Sequence, residues 1–71
     1  MEMTPITIVL NGIPHSLAGP ITLAGLLESL GLAGKPVVVE LNESVVFPRE
    51  YPLTALSDGS RLEVVTLAAG G

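Results

Sequence analysis

The two glycines that end the sequence, Gly70-Gly71, are the residues best placed to do chemistry, and what they offer is a backbone carboxylate rather than a side chain. Neither has a Cβ, so the backbone there is the narrowest and most permissive available. Such a segment can thread a tight channel in a partner, which then holds the carboxylate in extended form near a reactive centre. Ala69 continues the slender profile. Gly71 is therefore the candidate for covalent modification, with Gly70 and Ala69 as the threading segment. A dipeptide at a chain end is a weak motif alone, and its meaning depends on what displays it.

Side-chain chemistry is scarce by comparison. One histidine, no cysteine and a few serines assemble into no nucleophilic triad, and His15 sits among apolar residues in an expected edge strand. Without cysteine the chain has no thiol chemistry of its own, no disulfide and no zinc site of the finger type. Glu28, Glu40, Glu43, Glu50, Asp58 and Glu63 are scattered over helix, strands and turns, with no spacing that marks an acid/base pair or a calcium loop. No glycine-rich loop leads from a strand into a helix, so no nucleotide site is expected. The chain is expected to hold no metal and no bound cofactor, and not to be an enzyme.

The elements that would position the tail can be read in order. Ile6-Thr7-Ile8-Val9-Leu10 is β-branched and alternating, and Asn11-Gly12 supplies a two-residue hairpin turn into Ile13-Pro14-His15-Ser16-Leu17. Pro14 cannot donate a ladder hydrogen bond, so this second strand belongs at a sheet edge or contains a bulge. Thr22 can cap a helix in which Leu23, Leu26, Leu27 and Leu30 share one face, with Gly31 placed to stop it. Gly25 lowers helix propensity and marks either a close approach or a tolerated flaw. Val37-Val38-Val39-Glu40-Leu41 and Ser44-Val45-Val46-Phe47 form a second hairpin around Asn42-Glu43. A polar interruption between Pro48 and Pro52, a short Leu53-Thr54-Ala55-Leu56 segment and the turn Ser57-Asp58-Gly59-Ser60 lead to the longest strand, Arg61 through Leu67.

The order β-β-α-β-β-β predicts an α+β fold of the β-grasp (ubiquitin-like) type, a mixed sheet of four to five strands covered on one face by a single helix. The last strand then pairs in parallel with the first at the sheet centre, because the proline-bearing strand takes the edge. Its end projects from the sheet. The expected organisation is a single domain over 1–71 with a flexible tail over 68–71.

Composition bounds the rest of the reading. Seventy-one residues with 48% hydrophobic content suffice for one core. A net charge of −4 repels phosphate backbones and favours partners with basic surfaces, so direct nucleic-acid binding is not expected. No apolar run approaches the roughly 18 residues needed to span a membrane, and no leader pattern opens the sequence; a cytoplasmic, soluble protein is expected. Only 14% of residues are charged, which predicts apolar side chains left outside the core as a docking face. The outward residues Thr7, Val9, Val65 and Leu67, on the sheet face opposite the helix, are the candidates. Arg49 and Arg61 are read as solubility groups.

The Ala-Ala-Gly-Gly end after Val64-Val65-Thr66-Leu67, with the β-grasp order, resembles the ubiquitin-like sulfur carriers over nearly the whole chain. Within that group, Val39-Glu40-Leu41-Asn42, Val45-Val46-Phe47-Pro48-Arg49-Glu50 and Leu56-Ser57-Asp58-Gly59-Ser60-Arg61-Leu62-Glu63 are most similar to the ThiS family, the sulfur carriers of thiamine (thiazole) biosynthesis. The family has valine before the Pro-Arg pair, whereas Phe47 stands there here. The resemblance implies that a ThiF-like adenylating enzyme uses ATP to join Gly71 to AMP. A cysteine desulfurase or rhodanese-like sulfur donor then converts the adenylate to a thiocarboxylate, and the thiazole synthase ThiG receives the sulfur. The small subunit of molybdopterin synthase and tRNA-thiolation or protein-modifier relatives share the tail and are the alternatives, followed by a β-grasp regulatory module that binds partners without covalent chemistry.

Overall fold

The first hairpin forms where β-branched residues alternate around an Asn-Gly pair, and the computed structural model, which describes residues 4–67, places it at the predicted residues. Strand β1 (Ile6–Leu10) pairs antiparallel with β2 (Ile13–Leu17). The turn has φ of 50° at Asn11 and 80° at Gly12, the left-handed pair whose twist matches that of the strands.

After the two-residue strand β3 (Ile21–Thr22), helix α1 runs over Leu23–Ser29. The Thr22 hydroxyl accepts from the Gly25 amide at 3.1 Å, which satisfies one otherwise unpaired donor of the first turn. Gly31, at φ 75°, lies just past the C-cap. Leu23, Leu26 and Leu27 are buried against Ile6, Ile8, Val39, Leu62 and Val64 from the sheet. Gly25 is a close approach rather than a flaw: a Cβ there would stand 2.9 Å from Ile21 Cγ1.

Strands β4 (Val37–Leu41) and β5 (Ser44–Val46) form the second hairpin, followed by a 3₁₀ helix over Pro48–Leu53, β6 (Ala55–Leu56) and β7 (Arg61–Thr66). The main sheet has five strands in the order β2-β1-β7-β4-β5. Strand β7 lies at its centre, parallel to β1 and antiparallel to β4, while the proline-bearing β2 is at the edge as expected. The β-grasp expectation holds.

Three local expectations change. The segment between Pro48 and Pro52 is a helical turn, because the Glu50 carboxylate accepts from the Phe47 amide at 3.0 Å and the Thr54 hydroxyl donates to Glu50 O at 2.7 Å. Phe47 consequently leaves the strand and begins that turn, and Leu67 likewise falls just beyond β7. Finally β3 and β6 pair into a second, two-stranded sheet, too short to leave a periodic trace in the sequence.

Both hairpin turns are tied to the central strand. Where β1 turns away, the Asn11 carboxamide continues the ladder, donating to Val64 O at 3.1 Å and accepting from Val64 N at 2.7 Å. Across β7, Asn42 Oδ1 accepts from Arg61 N at 3.0 Å. Asn11→Gly keeps the positive φ and deletes only the carboxamide, leaving two partly buried groups of Val64 without that partner. We expect a loss of about 2 kcal/mol, on the order of 10 °C in Tm, by thermal unfolding. A change below about 0.5 kcal/mol would remove the ladder-extending role.

Candidate functional site

Because β7 is central, the chain beyond it leaves from the middle of the sheet and not from an edge. The register pairs Val37 with Thr66, and Leu67 N donates to Pro36 O at 2.9 Å, so the exit is held up to residue 67. Ala69, Gly70 and Gly71, the predicted modification and threading residues, lie outside the described residues. What the fold fixes is their point of departure.

The face of the sheet away from α1 carries the outward positions of each strand. Thr7 and Val9 of β1 are on it, as are Arg61, Glu63 and Val65 of β7, while Leu67 follows in the same alternation; Thr7 is exposed and Val9 half-buried. The four predicted docking residues therefore share a face but do not form one patch. In the parallel register Val9 stands beside Arg61, and Val65 is four residues further along, roughly 13 Å at about 3.3 Å per residue. Thr7 is more distant still. Val65 and Leu67 instead adjoin Val38, the register partner of Val65, and Phe47, which follows β5 on the same alternation. These side chains are 55%, 50%, 40% and 53% exposed respectively, an apolar surface beside the tail's exit. Val38 and Phe47 were missed as candidates, although the alternation in Val37–Leu41 puts Val38 on the outward face with Glu40.

The opposite end of that face is charged. Glu40 and Glu63 are direct cross-strand partners, and together with Glu43, Arg61, Val9 and Gly12 they line a shallow groove of about 90 Å³. Three carboxylates against the single guanidinium of Arg61 give this end a net negative charge. Arg49 lies over the Phe47 ring, 5.5 Å from its centroid, and so borders the apolar patch as well as solvent.

On the helix side a larger cleft of about 530 Å³ opens between α1, the loop 32–36 and the 3₁₀ helix. Leu27, Val37, Lys35, Pro36 and Tyr51 are among its walls. Partial burial raises the Tyr51 phenol above its ordinary value, so it remains a neutral hydroxyl donor at physiological pH. His15 is half-buried on β2 opposite Ile8. Among the described residues no group of three His, Cys, Asp or Glu side chains could hold a metal, and no helix is long and apolar enough to cross a membrane.

Comparison with known proteins identifies the family to which the chain belongs. The model of the ThiS family matches residues 8–71. The sulfur carrier protein ThiS of Thermus thermophilus is 45% identical over 62 residues, covering 87% of this chain and 95% of that protein. Thiazole synthases of Magnetococcus marinus and Paramagnetospirillum magneticum are 42% and 34% identical, but this chain spans only 19% and 20% of their lengths. The crystal structure of the thiamine biosynthesis protein ThiS from Geobacter metallireducens superposes with a TM-score of 0.79 at 29% identity, covering 93% of this chain and all of that one.

Proposed function

Since the chain belongs to the ThiS family, we propose that it is a sulfur carrier of thiamine biosynthesis, a protein co-substrate whose Gly71 carboxylate is loaded with sulfur by partner enzymes. One observation carries the reading: the segment leading to Gly71 leaves a central strand beside an apolar surface that a partner can grip.

The chemistry follows from what a carboxylate lacks. At neutral pH it resists nucleophilic attack, so a ThiF-like enzyme transfers AMP from ATP to the Gly71 oxygen and releases pyrophosphate. The mixed anhydride then has a good leaving group. The terminal sulfur of a persulfide, carried by a cysteine desulfurase or a rhodanese-like protein, bonds to the carbonyl carbon as AMP departs. A second thiol of the partners takes the remaining sulfur as a disulfide and frees the thiocarboxylate. All cysteine chemistry is external, in keeping with a chain that contains no cysteine. Thiazole synthase (ThiG) then accepts the sulfur, and the carrier returns to its carboxylate form. The likeness to part of two thiazole synthases supports that acceptor over molybdopterin or tRNA, since it joins this domain to the consuming enzyme in one chain.

The docking surface belongs to the same proposal. The apolar patch of Val38, Phe47, Val65 and Leu67 gives the partners a common hold next to the tail, and the acidic end around Glu40 and Glu63 orients them. The test of the acceptor is isotopic. Carrier loaded with heavy sulfur is mixed with thiazole synthase and its sugar-derived substrate; label in the thiazole supports the reading. An unlabelled thiazole, with transfer of the label instead to a molybdopterin precursor or tRNA, overturns it.

A further inference from the structure

We propose that the cleft between α1, the loop 32–36 and the 3₁₀ helix is a second docking site, for a partner-enzyme segment that carries a large apolar side chain beside a carboxylate. The inference deepens the carrier reading and rests on it. The apolar patch gives the partner a hold on one face of the sheet, and the cleft gives it a hold on the other.

Position comes first. Val37 and Val38 are consecutive on β4 and point to opposite faces, so Val37 lines the cleft while Val38 belongs to the outward patch. Pro36, also in the cleft wall, accepts from Leu67 N at 2.9 Å. Cleft and patch therefore flank residues 66 and 67 from the two sides of the sheet, and a protein that closes around that point meets both.

The chemistry of the lining narrows the occupant. Leu27, Leu32, Val37, Pro48 and Pro52 give apolar walls, and the only polar side chains among the lining residues are Lys35 and Tyr51. An ammonium and a phenol held protonated by partial burial both donate. No acidic side chain lines the cleft among the described residues, so the matching group is an anionic acceptor set in apolar surroundings. The other two basic residues serve elsewhere, Arg49 over Phe47 and Arg61 in the acidic groove. A net charge of −4 disfavours a second copy as the occupant. A volume of about 530 Å³ would admit a small amphiphilic acid, but Leu53, which follows Pro52, is 84% exposed. A peptide segment covers that continuation and a small molecule does not.

The cleft is also ready-made. Leu32 N to Leu27 O and Lys35 N to Leu32 O, at 2.8 and 3.0 Å, pin its loop, and Glu50 and Thr54 pin the 3₁₀ wall. Little ordering accompanies docking. An exposed ion pair is weak, but this one sheds water as the segment docks, so reversing its sign costs affinity.

The test is calorimetric titration of the full chain with the activating enzyme and with thiazole synthase. Lys35→Glu reverses the charge and Ala33→Trp fills the cleft, both from exposed positions outside the core. Each is expected to lower affinity for at least one of the two enzymes tenfold or more, while Lys35→Arg stays within about threefold. Thermal unfolding of all three variants should match the wild type. Unchanged affinities for both enzymes in folded Lys35→Glu and Ala33→Trp overturn the proposal. Saturable binding of octanoate that neither enzyme displaces also overturns it, by assigning the cleft to a free acid. Self-association of the wild type that Lys35→Glu abolishes overturns it in favour of a second copy. Sulfur loading is measured separately. Unchanged affinities with normal loading remove only this site, whereas lowered affinities with a wild type that never loads support the site and remove the carrier reading.

Discussion

Adding one alanine after Gly71, or deleting Gly71, is expected to abolish sulfur loading, by at least about 100-fold. Adenylation requires a carboxylate at one place in a partner's channel, and a shift of a single residue moves it by about 3.3 Å, whereas a misplacement near 1 Å can already cost two orders of magnitude. Gly71→Ala keeps the length and adds only a Cβ, so it separates channel width from register and is expected to load more slowly without reaching zero. Thermal unfolding of all three variants should match the wild type, because the described core stops short of these residues. The check is the initial rate of ATP-dependent pyrophosphate release with the activating enzyme. Undiminished rates in the lengthened chain would show that Gly71 need not be the free end.

The second large effect is expected at Val65. Val65→Asp puts a charge in the middle of the apolar surface, between Val38 across the β4–β7 register and Leu67 along the chain. Burying that carboxylate in an interface without a partner costs more than the lost valine contact, so affinity for both the activating enzyme and thiazole synthase should fall tenfold or more, at least about 1.4 kcal/mol. The side chain is already more than half exposed, so the fold should persist. Thr7→Asp serves as the comparison. It lies on the same face but well away along the strands, and should change either affinity by less than about threefold. Equal losses at Thr7 and Val65 would restore a single broad docking face; no loss at Val65 with intact fold would remove the patch from the interface.

That contrast also shows where the sequence was legible. Alternation told which face each strand residue takes, and it was right for Thr7, Val9 and Val65. It could not tell how far along the sheet they stand from one another, because that depends on the offset between β1 and β7, fixed by Gly59 N and Thr7 O, by the Asp58 carboxylate on Thr7 N and by Val9 N and Ser60 O. These are contacts across some 50 residues of sequence. The hairpins and the helix were readable because Asn11-Gly12, Thr22 and Gly31 carry local turn and cap signals. The 3₁₀ helix was not, since its stability comes from Glu50 reaching back to Phe47 and from Thr54, in a stretch whose two prolines read as interruption. Asn42 and Glu43 adopt the turn at φ 49° and 72° without a glycine, held in part by Asn42 on Arg61. As for the candidate site, the importance of Gly71 was argued from backbone chemistry and family resemblance; that residue lies outside the described residues, and the fold adds only the central strand from which the chain departs.

Intact-mass measurement tests the central claim most directly. The purified chain is incubated with ATP, the activating enzyme and a persulfide donor, and its mass is read before and after. The account predicts the replacement of one oxygen by one sulfur, confined by fragmentation to Gly71 and absent without ATP. An unchanged mass in the presence of active partners, or sulfur found anywhere other than the Gly71 carboxyl, would contradict it.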